Sequence, residues 1–301
     1  MKFTTYLPEA EGPAATPRLA VIDGDAAVDL AANLADNLKN NRAVDLRQAL
    51  LQGIDLQAAG RAALASSAPR LPRLPLATLR LAPLVPEPGK IICLGLNYFD
   101  HAKEGGRDKP EYPWFFYRGK SSLLAHGQPG RVPRVSSKFD YEAELALVIG
   151  STVPRHVARA DALQYVFGYT CFNDMSVRDF QKRTPQWTIG KNFDATGAFG
   201  PHLVTADALP PGAIGLRVRC HLNGQLVQDA NTRDMIFSVA ETIELLAQCL
   251  TLEPGDVIVM GTPAGVGQAR NPPLWLKAGD TVAVDIEGIA TLINPIAAED
   301  A

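Results

Sequence analysis

Residues 140–150, DYEAELALVIG, constrain the fold more than any other part of the chain. Read as a strand, the stretch sends alternate side chains to opposite faces. Tyr141, Ala143, Leu145, Leu147 and Ile149 fill one face, and Glu142, Glu144, Ala146 and Val148 the other. Both faces are mostly apolar, which predicts a strand buried on both sides rather than a half-solvated one. Two glutamates on one face of such a strand repel each other and lose hydration. A cation between them removes both problems.

A third carboxylate is at hand. Residues 165–172, YVFGYTCF, also read as a strand and run into Asn173 and Asp174. If the two strands are neighbours, Asp174 reaches Glu142 and Glu144. Three carboxylates with no thiolate and little histidine nearby suit Mg²⁺, Mn²⁺ or Ca²⁺ rather than zinc. The same residues have plainer readings. A Glu-x-Glu pair also marks a solvated strand end, and Asn-Asp before Met175 and Ser176 also marks a turn or helix cap. Spacing alone leaves these open.

Other motifs follow in order: GLNYFDHAKEGG from residue 95, GYTCFNDMSVRDFQ from 168, GKNFD from 190 and PGDVIVMGTPAGVG from 254. Residues 99–104 read as a short helix ended by Gly105 and Gly106. His101 and Glu104 share one face of it. A carboxylate beside an imidazole raises its basicity and fixes its tautomer, as a general base requires. An exposed histidine on a surface helix has the same spacing. Residues 184–200 read as a long loop of the kind that carries function in compact domains. The glycine-rich loop at 261–267 lacks the Gly-Lys-Ser/Thr ending of a phosphate-binding loop, so nucleotide binding is not expected.

Together with DYEAELALVIG, these motifs resemble the fumarylacetoacetate hydrolase superfamily over about residues 91–295. Many short strands and few helices already argue an α+β, mainly β protein. The resemblance implies a mixed β-roll catalytic domain at 86–301, after a small α+β N-terminal domain and linker at 1–85, and a homodimer. It implies Mg²⁺ or Mn²⁺, with Ca²⁺ the third candidate, at Glu142, Glu144 and Asp174. It also implies a lid on which His101, set by Glu104, activates water, and a Lys191 that contacts the substrate's oxygen. Arg178, Gln181 and Thr262 are expected against the substrate, with a structural ion pair the equal alternative for Arg178. Arg118 stands where similar proteins often carry lysine and is expected at the substrate's acidic group.

The activity this implies is hydrolysis of a carbon–carbon bond in a 1,3-diketo acid, of acylpyruvate or fumarylpyruvate type, as in aromatic catabolism. Decarboxylation of an oxaloacetate-like acid, and hydrolysis or isomerisation of 2-keto-3-deoxy sugar acids, are the alternatives at the same site. A non-catalytic metal-binding module that scaffolds a dimer is a different class, and a gated base argues against it.

Composition excludes other partners. The chain has 29 basic and 32 acidic residues, a net charge of −3, and no basic stripe. Nucleic acid and anionic membranes are therefore not expected. The start, MKFTTYLPEAEGP, lacks the apolar segment of a signal peptide, and no long apolar run suggests a span. Cys93, Cys171, Cys220 and Cys249 lie apart in apolar surroundings and read as buried, reduced thiols of a cytoplasmic protein. Residues 30–64 have helical spacing, 69–88 read as an extended proline-rich linker, and 154–163 as a surface helix. Trp114, Phe115 and Phe116 read as core, with lining of the pocket mouth as the alternative. Asn223 and Gly224 mark a hairpin, and 236–250 an amphipathic helix.

Overall fold

The computed structural model describes residues 1–9, 15–31, 34, 44–65 and 71–300. Strands form where the apolar runs are. The N-terminal part holds β1 (Lys2–Leu7), β2 (Arg18–Asp23), β3 (Ala26–Asp29), β4 (Arg73–Pro75) and β5 (Arg80–Leu81). Next come β6 (Ile91–Gly95), β7 (Trp114–Tyr117), β8 (Leu123–Leu124), β9 (Gly130–Val132), β10 (Phe139–Asp140) and β11 (Ala143–Ile149). β12 (Val166–Asp174), β13 (Ser176–Val177), β14 (Gly197–Thr205), β15 (Arg217–Leu222) and β16 (Gln225–Asn231) follow. β17 (Val257–Val259), β18 (Thr281–Ile286) and β19 (Ala290–Ala298) complete the set. The α-helices are short: α1 (Leu46–Leu51), α2 (Leu56–Leu64), α3 (Phe99–Glu104), α4 (Arg178–Gln181), α5 (Thr188–Lys191) and α6 (Val239–Ala247).

Twelve strands form one sheet along the path β4-β3-β2-β1-β14-β12-β11-β17-β6-β7, with β5 on β1 and β8 on β14. A second sheet runs β16-β15-β18-β19-β9, and β10 pairs with β13 in a ribbon. Most neighbours are antiparallel, but β6 with β17, β8 with β14 and β9 with β19 are parallel. The protein is α+β, mainly β, with mixed sheets, as the sequence leads one to expect.

β11 is buried along its whole length. Leu145, Leu147 and Ile149 enter the larger core with Val218, Val284 and Ile243. Ala146 and Val148 enter a second core with Phe172, Phe199 and the N-terminal Phe3 and Leu19. Each fully buried aliphatic side chain contributes about 1.5–3 kcal/mol, so two cores fix which residues face which way. Asn223 (φ +52°) and Gly224 (φ +80°) are both left-handed and join β15 to β16, the two-residue turn that suits a twisted hairpin. α6 starts on Ser238, whose hydroxyl accepts the Glu241 N–H, and buries Val239, Ile243 and Leu246.

Several local expectations need correction. Residues 73–81 are not a bare linker, because β4 pairs with β3 and β5 with β1. Pro75 is tolerated at the end of an edge strand, where no N–H is required. α1 and α2 lie within 30–64, while 32–33 and 35–43 fall outside the described residues. Residues 154–163 form no α-helix. His156 is left-handed (φ +60°), and only a 3₁₀ turn at Arg159–Tyr165 follows. Within 175–183 only α4 is helical, because Ser176 pairs with Asp140 in the ribbon. Cys93, Cys171 and Cys220 are buried, but Cys249 is exposed just beyond α6. Among the described residues no helix is long and apolar enough to cross a membrane.

Candidate active site

β11 and β12 pair with Ala143 opposite Asn173 and Glu144 opposite Phe172. The Asp174 N–H donates to the Glu142 carbonyl at 2.9 Å. Opposed residues share a face, so Asp174 projects beside Glu142. One oxygen each from Glu142, Glu144 and Asp174 lie within 4.8 Å of one another, and all three residues are buried. Lys191 Nζ donates to Glu142 Oε2 and Asp174 Oδ2, both at 2.5 Å. Arg178 Nη2 lies 2.7 Å from Glu142 Oε1, and Arg118 Nη1 donates to Asp174 Oδ1. Glu144 Oε2 accepts the Gly261 N–H at 2.6 Å. Gly261 is left-handed (φ +86°), and a Cβ there would stand 2.8 Å from Asn97 Cβ, so glycine alone brings this donor in.

The charges are unevenly matched. Burial opposes ionisation of Glu142, but Arg178, Lys191 and His101 outweigh it and hold the carboxyl well below the usual carboxylate range. Burial, followed by repulsion from Asp174 and Glu142, pushes Glu144 well above that range. Among the described residues, Glu144 is the member of the three with no cationic side chain in an ion pair with it. The site fits a divalent, oxygen-ligated cation on two counts. Its donors are all carboxylate oxygens, and Glu144 lacks a compensating positive charge.

Helix α3 follows β6 just after Asn97, which is wholly buried. Asn97 Oδ1 accepts the Phe237 N–H at 2.8 Å, and Nδ2 donates to Phe237 O at 3.1 Å and Met260 O at 2.7 Å. On α3, His101 Nδ1 lies 3.4 Å from Glu104 Oε2. Both Glu104 oxygens accept the Gly265 N–H at 3.1 Å, which ties α3 to the loop after β17.

A cavity of about 570 Å³ brings these parts together. His101, Glu104, Glu142, Glu144, Arg178, Gln181, Lys191 and Thr262 all line it. Arg178 Nε donates to Asp140 at 2.8 Å and Nη1 to Gln181 Oε1 at 3.0 Å. Burial lowers the proton affinity of Lys191, but Asp174 and Glu142 outweigh this and keep it charged. A Cβ at Gly190 would stand 2.3 Å from Gln181 N, so this glycine lets α5 approach α4. The Thr262 hydroxyl donates to Ala143 O at 3.0 Å and accepts from Gln228 Nε2 at 2.9 Å. That hydroxyl is committed to the frame.

Arg118 is placed differently from the sequence expectation. Its side chain is fully buried, does not line the cavity, and bonds to Asp174, Ser122 and Thr196 behind the carboxylates. Phe116 belongs to the second core, as expected, and also lines the cavity, while Trp114 is exposed at the cavity rim rather than buried.

Sequence reasoning also passed over working residues. Asp140, wholly buried, holds Arg178 and accepts the Gly267 and Gln268 N–H groups at 2.7 and 3.0 Å. Its alternation with Glu142 and Glu144 was the available signal. Gln268 lines the cavity with an Oε1 that has no partner among the described residues. Nothing in its local sequence marks it.

Residues 90–297 match the family described as Fumarylacetoacetate (FAA) hydrolase C-terminal. With this site on this sheet, the chain belongs to the fumarylacetoacetate hydrolase family. It is 43% identical, over 72% of its length and 67% of the relative's, to "Oxaloacetate tautomerase fahd2, mitochondrial" of Xenopus laevis. It is also 43% identical, over 73% of its length and 74% of the relative's, to oxaloacetate tautomerase YisK of Bacillus subtilis. Among solved structures it is similar to maleylpyruvate hydrolase from Sphingobium sp. SYK-6 in complex with manganese(II) ion and pyruvate. That likeness has 30% identity and a TM-score of 0.80 over the whole of both chains.

Proposed function

We propose that the protein is a metal-dependent enzyme acting on 2-keto acids through an enolate, and that it tautomerises a dicarboxylic 2-keto acid of the oxaloacetate type. The observation carrying this is the His101–Glu104 pair in the same cavity as Glu142, Glu144 and Lys191. Glu142, Glu144 and Asp174 would hold Mg²⁺ or Mn²⁺, which supplies Lewis-acid polarisation of keto-acid oxygens. His101 takes the proton from the carbon beside the keto group and delivers it to the keto oxygen. The carbon–hydrogen bond breaks, an oxygen–hydrogen bond forms, and the carbon–carbon double bond of the enol appears. Glu104 orients the imidazole, and the Lys191 ammonium stabilises negative charge on the oxygen. Arg178 and Gln181 bind the substrate, Thr262 shapes the floor, and Arg118 holds Asp174 in place. Catalysis is assigned to residues 86–301, with 1–85 supporting them, in a homodimer. The 43% identity to two oxaloacetate tautomerases supports tautomerisation.

Carbon–carbon hydrolysis of an acylpyruvate or fumarylpyruvate is the second reading. The likeness to maleylpyruvate hydrolase over the whole chain favours it. There His101 would take a proton from water, whose oxygen attacks the distal carbonyl. The bond to the adjacent carbon breaks, and the departing enolate is then protonated.

The two readings separate in one experiment. On Mn²⁺-loaded protein, the decay of enol-oxaloacetate is followed beside pyruvate release from acetylpyruvate. Tautomerisation with the higher kcat/KM is expected. His101→Gln should lower it by about 10²–10⁴-fold and leave Mn²⁺ affinity unchanged. Faster cleavage than tautomerisation would establish the second reading. An unaltered rate in His101→Gln would remove His101 as the base.

A further inference from the structure

One wall of the cavity is a ladder of stacked groups. Lys191 Nζ lies 5.1 Å from the Phe116 ring centroid. Phe116 meets Trp187 edge-on at 5.7 Å, and Trp187 lies nearly parallel to Trp114 at 5.6 Å and 11°. The Arg107 guanidinium sits 5.2 Å over Trp114. All five residues line the cavity. The ladder thus runs from the buried carboxylate cluster, at Lys191, to an exposed rim, where Trp114 is 44% accessible. Gly95 makes this packing possible, because a Cβ there would stand 2.1 Å from the Trp187 ring. Arg107 and Lys182, exposed cations that also line the cavity, are in no ion pair with any described residue. The Arg107 N–H donates to Ala102 O at 2.9 Å, so its guanidinium is carried by the lid segment.

We propose that Arg107, stacked on Trp114 at the rim, is the residue that selects the far carboxylate of an extended dicarboxylic 2-keto acid. The inference rests on the 2-keto acid reading above and adds to it a length and the residue that meets the distal charge. The planar guanidinium matches a carboxylate with two parallel hydrogen bonds. Trp187 and Trp114 stack on each other, and Trp114 in turn braces the Arg107 guanidinium at the rim. A cavity of about 570 Å³ lies inside the range of about 300–1,000 Å³ that holds drug-sized ligands, so a diacid longer than oxaloacetate has room to reach Arg107. Because Arg107 rides on the lid, binding the distal carboxylate also favours the closed lid.

The test uses the full-length, Mn²⁺-loaded protein and two six-carbon acids, 2-oxoadipate and 2-oxohexanoate, which differ in the distal carboxylate. Affinities are measured by calorimetry, with oxalate as the reference for the inner site. Wild-type protein should bind 2-oxoadipate about tenfold more tightly than 2-oxohexanoate. Arg107→Met should remove that preference by weakening the diacid alone, and Arg107→Lys should restore part of it. Binding of oxalate with equal affinity for the two longer acids would overturn this inference and leave the 2-keto acid reading standing. Failure of all three ligands to bind would overturn both. A preference that persists in Arg107→Met would overturn the assignment to Arg107.

Discussion

Replacing Asn97 by alanine tests how the lid is founded. Asn97 is wholly buried and makes three hydrogen bonds to the backbone of Phe237 and Met260. It joins the end of β6 to the start of α6 and the end of β17, one residue before the lid begins. Asn97→Ala removes all three bonds and leaves the Phe237 N–H without its partner. An orphaned buried donor is unfavourable by about 1–3 kcal/mol, and two weakened carbonyls bring the total to about 3–5 kcal/mol. Unfolding entropy of about 2.1 cal/mol/K per residue gives about 0.6 kcal/mol/K for 301 residues. The melting temperature should therefore fall by about 5–8 °C. Calorimetry measures the shift, and hydrogen exchange should show faster exchange at residues 98–106 than elsewhere in the protein. The kcat/KM should fall by more than Mn²⁺ affinity does, since the carboxylates keep their own partners. A melting shift below about 2 °C, with unchanged exchange in the lid, would refute the reasoning, because water would then be replacing the side chain.

Two further perturbations probe the electrostatics. Glu144→Gln should weaken Mn²⁺ binding by at least about 100-fold in calorimetry, since it removes one of three anionic donors. It should leave metal-free stability equal or higher, because burial and its neighbours already push this carboxyl up. Burial also holds His126 and His202 below the ordinary histidine value. As pH falls through about 6.5, the unfolded chain binds protons that the folded protein does not, so stability present at neutral pH is lost on acidification. His202→Gln, which keeps a donor for Ile289 O, should flatten the fall in melting temperature between about pH 7 and pH 5. An unchanged slope would mean that His202 charges freely in the folded state.

What could be read from the sequence followed from periodicity. The two-faced burial of β11 and the shared face of Glu142 and Glu144 follow from alternation, whereas the approach of Asp174 needed the pairing of β12 beside β11, which spacing alone left open. The end of α3 was legible in its two glycines, Gly105 and Gly106. The rest depends on distant parts of the chain. Arg118 is 56 positions before Asp174, and only the fold shows that it backs the carboxylate rather than facing a ligand. Trp114 and Trp187 meet across a long separation, so neither could be told from an ordinary core aromatic. The proline-rich stretch at 69–88 hid β4 and β5, since prolines at a sheet edge leave no trace in a local pattern.

β11 divides its work by odd and even position. The odd residues Leu145, Leu147 and Ile149 serve the larger core, while the even set runs from Glu142 and Glu144 to Ala146 and Val148 in the second core. This has an evolutionary consequence. Point substitutions at 142 or 144 change chemistry without touching the side chains that hold the larger core. A single inserted or deleted residue within the strand would exchange the two sets at once, sending glutamates into one core and leucines into the carboxylate site. The residue count of this strand is therefore fixed by both cores and by the carboxylate site together.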